Sequence, residues 1–253
     1  MLNTIDHGNV RELQLARPPV NALDPELVDT LTKAVAEAAT AAGAIVISGR
    51  EGLFSAGLDV PALLALDRAG MTGFWGSFFR LLETVARSPV PVAAAITGHS
   101  PAGGAVLSLY CDYRVMTSGE YRIGLNETRV GLVVPPVIRV ALERLTGPHR
   151  AERLVVAGDL IGPNDALACG MVDALADSPQ AAVSDAVRWC EGLLALPAHA
   201  MLGNRALARA ALHRHFDHLG EDDVAAFVDG WFQADTQRTL KALVEQLQKK
   251  SAG

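Results

Sequence analysis

The chain lacks the features that mark several large protein classes. Its 253 residues include three cysteines, Cys111, Cys169 and Cys190, far apart and with no CxxC pair. That spacing gives neither a disulfide framework nor a paired-thiol zinc site, so a reducing compartment is expected. No apolar run reaches the roughly 20 residues that cross a bilayer. The opening Met1-Leu2-Asn3-Thr4-Ile5-Asp6 has no basic stretch leading into an apolar one. A soluble, cytoplasmic protein with no membrane partner is the expectation. Basic residues are the minority, 22 against 28 acidic, for a formal net charge of −6. Such a surface gives a polyanion little to hold, so no nucleic-acid partner is expected.

Half the residues are hydrophobic and 20% are charged, the balance of a folded globular chain. Val10 to Leu15 alternates apolar and polar residues and predicts a strand. A turn at Arg17-Pro18-Pro19 leads to Asp24-Pro25, an N-cap followed by proline at the first helical position. Leu27, Leu31, Val35 and Ala38 continue that helix to about Gly43. Ala44–Ser48 and Val92–Ile96 are short apolar runs of the kind buried on both faces of a parallel sheet. Helices are predicted on the Phe74, Trp75, Phe78, Leu81 stripe and over Ala102–Cys111, with a strand at Tyr113–Met116. The alternation indicates α/β. After about Ala176 only helices are expected, over Ala181–Leu194, Ala198–His215, Asp222–Phe232 and Thr236–Lys249. Leu240, Leu243, Val244 and Leu247 form an apolar stripe on the last of them.

Three segments bear on chemistry. Phe54-Ser55-Ala56-Gly57-Leu58-Asp59 follows a buried strand. Gly57 there permits a turn that can leave the Leu58 N–H unpaired, and Asp59 can cap a helix from Val60-Pro61. The plain alternative is an ordinary strand-to-helix turn. Gly98-His99-Ser100-Pro101-Ala102-Gly103-Gly104 opens the next helix. Adjacent glycines cost a helix about 1 kcal/mol each, so they fit a backbone that must be approached closely, by a ligand or by a packed strand. Free N–H groups at that end favour developing negative charge. In Ile123-Gly124-Leu125-Asn126-Glu127-Thr128, apolar Leu125, Val130 and Leu132 flank Glu127. Desolvation there would raise its pKa towards that of a useful base, although a lone glutamate is more commonly solvated or a cap.

Gly98-His99-Ser100-Pro101-Ala102 is close to the nucleophile elbow of serine hydrolases. The elbow needs an N–H on the residue after the serine, and Pro101 has none. Ser100 is therefore read as structural. His213, His215 and His218 suggest a metal site, but converging ligands of suitable spacing are missing. A surface turn that interrupts a helix is expected there, and no metal. Phe74, Trp75 and Phe78 suit either an acyl pocket or a core stripe. Trp231 and Phe232 suit either a site cover or a packing contact, and Asp112 is read as fixing the end of the glycine-rich helix.

In this order and spacing, Pro18-Pro19-Val20-Asn21-Ala22-Leu23, the Phe54–Asp59 turn, Pro101–Gly104, Cys111–Arg114 and Ile123–Thr128 resemble the enoyl-CoA hydratase/isomerase (crotonase) superfamily, in particular its Δ3,Δ2-enoyl-CoA isomerase branch. The resemblance covers the whole chain. It implies an α/β spiral of repeated ββα units over residues 1–196 and a helical region, 197–253, used for trimer or hexamer assembly. It also implies an acyl-CoA substrate and no separate cofactor, coenzyme A being part of the substrate. By position, the N–H groups of Leu58 and Gly104 would hold the thioester oxygen and Glu127 would move the proton. Ser55, Ala56, Gly57, Leu58, Asp59 and Val60 would run along the coenzyme, with Gly103 and Asn126 nearby and Arg17 at its nucleotide end.

Hydratases of this superfamily use two glutamates, the first falling three residues after Gly104. Here that residue is Leu107, and Val133-Val134-Pro135-Pro136 replaces the usual glycine-rich loop. A single acid–base is expected to shift a double bond rather than add water. Hydration, thioester hydrolysis, decarboxylation and a non-catalytic binding role are the alternatives.

Overall fold

The computed structural model describes residues 1–251. The first turn of chain is a hairpin of β1 (Leu2–His7) and β2 (Val10–Leu15). Asp24 then caps α1 (Pro25–Ala41), its carboxylate accepting the Leu27 N–H at 2.8 Å. The following turns repeat one plan. A long strand enters a large sheet, a short strand enters a small one, and a helix returns. The first such turn is β3 (Ala44–Ser48), β4 (Gly52–Leu53), α2 (Val60–Leu64) and α3 (Arg68–Ala86). The second is β5 (Val92–Ile96), β6 (Gly98–Pro101) and α4 (Gly103–Leu109). The third is β7 (Tyr113–Thr117) and β8 (Ile123–Gly124), followed by a 3-10 turn at Glu127–Val130.

The large sheet runs β1-β2-β3-β5-β7-β9, with β9 at Ala174–Ala176, and is parallel except for the β1–β2 pair. The small sheet runs β4-β6-β8 and is parallel throughout. β3 and β5 are buried at every position because helices cover both faces. Successive strand side chains point to opposite faces. Ile45, Ile47, Ala94 and Ile96 accordingly join the core with α1 and α3. Val46, Ala93 and Ala95 face α8 (Pro179–Leu194) instead, through Ala182, Ala186 and Cys190.

The remaining helices are α5 (Pro136–Thr146), α6 (Pro148–Ala157), α7 (Pro163–Ala168), α9 (Ala198–Asp217), α10 (Glu221–Trp231) and α11 (Ala234–Ser251). Leu212, Phe216, Phe227, Val228, Trp231 and Leu240 bring the last three into the same core as the sheet. The side chain of Leu247, expected on the α11 stripe, lies outside the described residues.

One expectation needs correction, and one pair of alternatives is decided. The histidine cluster does not interrupt α9, because the buried stripe Arg209, Leu212, Phe216 continues through it. His213 lies on the inner side, its Nε2 2.9 Å from the Ala86 carbonyl. Phe74, Trp75 and Phe78 take the core-stripe alternative: Phe74 stacks on Phe78, and Trp75 meets Phe78 edge-on and Phe227 at a tilt.

Candidate active site

The site forms where three loops meet at the N-terminal end of α4. The first is the Ser55–Asp59 turn. Ser55 is buried, and its Oγ donates to the Asn21 carbonyl at 2.7 Å while accepting the Gly57 N–H at 3.1 Å. Asn21 holds the other side, donating from Nδ2 to the Phe54 carbonyl at 3.0 Å. Leu23 then clamps the turn, since its N–H donates to the Gly57 carbonyl at 2.7 Å and its carbonyl accepts the Asp59 N–H at 3.0 Å. This parallel bridge uses the groups on either side of Leu58 and turns the Leu58 N–H away. Among the described residues that N–H has no acceptor.

The second loop is Pro101–Gly104. Ala102 sits at φ +46°, ψ −122°, a conformation that costs a side-chain-bearing residue about 1–3 kcal/mol. Its N–H donates to the Gly124 carbonyl at 2.8 Å, which holds it there. The glycines allow the two loops to touch. A Cβ on Gly104 would stand 2.8 Å from the Ser55 carbonyl oxygen, and one on Gly57 3.0 Å from the Pro101 carbonyl oxygen. The Gly104 N–H belongs to the first turn of α4, where a helix has no internal acceptor to offer. It too has none among the described residues.

Glu127 comes from the third loop. The residue as a whole is half-buried, but its Oε2 is shut away from solvent with no hydrogen-bond partner among the described residues. Burial raises its pKa to about 7, against a smaller lowering by its own backbone N–H.

These loops enclose a cavity of about 100 Å³. Asn126 and Glu127 lie at one side, and Leu58, Val60, Val130 and Leu132 form an apolar wall. Trp231, Leu240 and Leu243 close it from the C-terminal helices. Glu127 is the only ionisable side chain on this wall among the described residues.

Of the residues expected at the site, Ala56, Leu58, Val60, Asn126 and Glu127 line the cavity. Ser55, Gly57, Gly103 and Gly104 stand behind it as the packed frame of the two turns. Asp59 caps α2, accepting the Ala62 N–H at 3.1 Å. Arg17 points inward, its guanidinium 2.8 Å from both Asp24 and Asp59, which leaves little charge for a nucleotide. Ser100 Oγ is buried and unpartnered, with no base to activate it among the described residues. Leu107 is fully buried inside α4 and does not reach the cavity.

A family profile described as enoyl-CoA hydratase/isomerase matches residues 6–251. The chain belongs to the enoyl-CoA hydratase/isomerase family. Within that family it is 32% identical to human mitochondrial enoyl-CoA delta isomerase 1 over 251 residues, 96% of this chain and 82% of the human protein. It is 31% identical to a probable enoyl-CoA hydratase, EchA17, of Mycobacterium tuberculosis over 196 residues, 77% of this chain and 74% of that protein. The crystal structure of human mitochondrial delta3-delta2-enoyl-CoA isomerase superposes with a TM-score of 0.93 at 29% identity, covering 98% of both chains. The fold is thus the crotonase fold of this family, and the chain is an enzyme of the enoyl-CoA class.

Two features of this family member leave little trace in the sequence. Arg205 and Arg209 grip Asp112, and their only signal was an i, i+4 arginine pair on one helix face. Thr236 on α11 is buried, its hydroxyl donating at 2.8 Å to the carbonyl of Gly131, just after the Glu127 turn. A threonine in a polar helix gives no sequence signal of that kind.

Proposed function

We propose that the protein is a Δ3,Δ2-enoyl-CoA isomerase with Glu127 as its single acid–base. The observation that supports this most is the lone, unpartnered carboxylate in an otherwise apolar cavity. In the proposed reaction the thioester oxygen of a 3-enoyl-CoA accepts hydrogen bonds from the N–H groups of Leu58 and Gly104. Glu127 removes a proton from C2, and the electron pair moves onto that oxygen to give a dienolate. Glu127 returns the proton at C4, leaving the double bond between C2 and C3. No atom is gained or lost. Preorganised N–H donors act on charge that exists only along this path, and one such donor is worth about 100- to 1000-fold in rate.

Hydration requires a held and activated water. By the family resemblance Leu107 takes the position of a hydratase's first glutamate, and no second carboxylate lines the cavity among the described residues. An apolar wall around one carboxylate suits a proton shuttle, because nothing there orients water for addition. The named mammalian relative being an isomerase agrees with this reading.

The test is to supply hex-3-enoyl-CoA and follow formation of the conjugated 2-enoyl thioester, with free coenzyme A, carbon dioxide and 3-hydroxyacyl-CoA assayed in parallel. Wild type should give the 2-enoyl product and Glu127→Gln should not. A 3-hydroxyacyl product from a 2-enoyl-CoA would favour the hydratase alternative instead.

Assembly as a homotrimer or a dimer of trimers through residues 197–253 belongs to the same proposal. Leu207 on α9, 78% exposed, is available for a contact with another copy of this chain. Light scattering distinguishes monomer, trimer and hexamer. No described helix is long and apolar enough to cross a membrane. The cytoplasmic expectation stands as a proposal, for cell fractionation to decide.

A further inference from the structure

We infer that Trp231, backed by Leu240 and Leu243, is the chain-length gauge of this site and restricts it to short acyl groups. The inference builds on the acyl-CoA reading above and adds the substrate class. An apolar cavity of about 150 Å³ accommodates benzene, a six-carbon ring. The cavity beside Glu127 has about 100 Å³, room for about four carbons beyond the thioester carbonyl. Since C2 to C4 must themselves lie against Glu127, the chain meets the far wall at about the sixth carbon.

That wall is solid. Trp231 is 1% exposed and Leu240 is 0% exposed, so neither side chain can move outward into solvent to lengthen the cavity. The segment that bears them is tied to the loop carrying Glu127. Thr236 Oγ1 donates to the Gly131 carbonyl at 2.8 Å, and Gln237 Nε2 donates to the Trp231 carbonyl at 2.9 Å. Trp231 is also the largest residue on the cavity wall. Its Nε1–H has no hydrogen-bond partner among the described residues, so removing the ring severs no polar tie and alters chiefly the space.

In an open tunnel the trend would run the other way. Each pair of methylenes buried would tighten binding roughly tenfold. A closed wall reverses that sign, and the reversal is the signature sought.

The experiment titrates hexanoyl-CoA and dodecanoyl-CoA, which cannot be isomerised, into wild type, Trp231→Ala and Leu243→Ala by calorimetry. Wild type should bind dodecanoyl-CoA at least tenfold more weakly than hexanoyl-CoA. Trp231→Ala should bind dodecanoyl-CoA at least tenfold more tightly than wild type does, and Leu243→Ala should move the same way by a smaller factor. Leu243 is only half-buried, so its variant decides the matter if Trp231→Ala does not fold. The inference is overturned if wild type binds the two thioesters equally, prefers the longer one or binds neither, or if the folded variants leave the ratio unchanged. Turnover of 3-enoyl-CoAs separates the two claims. Equal isomerisation of six- and twelve-carbon substrates sinks the gauge and leaves the isomerase standing. A length preference in binding with no isomerisation at any length does the opposite.

Discussion

The two ends of α4 hold two half-buried acidic residues in opposite circumstances. Beyond its C-terminal end, Asp112 accepts the Val92 N–H at 2.8 Å and pairs with Arg205 and Arg209, each at 2.9 Å. Arg209 is 2% exposed and donates also to the Tyr110 carbonyl, so the cluster joins α9 to the end of α4 and the start of β5. At the N-terminal end, Glu127 Oε2 is shut from water and has no partner among the described residues. A buried charge with matched donors fixes structure, whereas one without them stands ready to take a proton. The same residue chemistry therefore serves architecture at one end and, in the proposed reaction, catalysis at the other.

The largest expected effects come from removing one carboxylate at a time. Glu127→Gln should lower turnover by about 100- to 10,000-fold, the usual worth of a general acid–base, while circular dichroism and assembly stay unchanged. Asp112→Ala should do the reverse. It leaves the buried Arg209 without its carboxylate, a loss of about 3–5 kcal/mol. For a chain of this size that lowers Tm by roughly 6–20 °C. Activity per folded molecule should stay within a few fold, and a Tm within 2–3 °C of wild type, well below that range, would remove the contrast.

A smaller effect is expected from Gly104→Ala, whose new Cβ would meet the Ser55 carbonyl oxygen at 2.8 Å. The Ser55–Leu58 turn must then shift, and displacements near 1 Å cost catalysis about 100-fold. Steady-state kinetics should show the loss mainly in kcat. Unchanged kinetics would mean that the two turns need not touch.

The smallest effect is on stability. The folded-state pKa of Glu127 is raised from 4.5 to about 7. The folded protein therefore keeps this proton where the unfolded chain has lost it, and stability falls as pH climbs from about 4.5 through about 7. Glu127→Gln carries no such penalty. It should be more stable than wild type at pH 8 by about 1–2 kcal/mol, the half-exposed residue reducing the full shift. At pH 4 the two should match in thermal melts.

Much of this was legible in the sequence. Asp24-Pro25 announces the start of α1, and the apolar runs of β3 and β5 announce strands covered on both faces. The exposed edge strand β1 was not legible, because its residues Leu2–His7 bury almost nothing and show no alternation. Nor were β4, β6 and β8, whose two to four residues are too short for a period. No expectation covers helices α5, α6 and α7, although Val137, Ile138, Ala141 and Leu142 form a regular buried stripe on α5. At the site, Glu127 and the two glycine turns stood out through residue type and order, strengthened by the family resemblance. Trp231, Leu240 and Leu243 were visible as apolar residues, but their arrival at the Glu127 cavity depends on how α10 and α11 fold back over the core. Such long-range packing leaves no local pattern. The inward turn of Arg17 is similar, since its partners Asp24 and Asp59 come from separate loops.

In the proposed reaction one unpartnered carboxylate, Glu127, does all the acid–base work. The pH dependence of kcat/KM for hex-3-enoyl-CoA tests it most directly. An ionised Glu127 is the active form, so the rate should rise with unit slope and reach its half-maximum near pH 7, following the raised pKa. A rate that is flat from pH 5 upwards, or that survives with the same profile in Glu127→Gln, would contradict it.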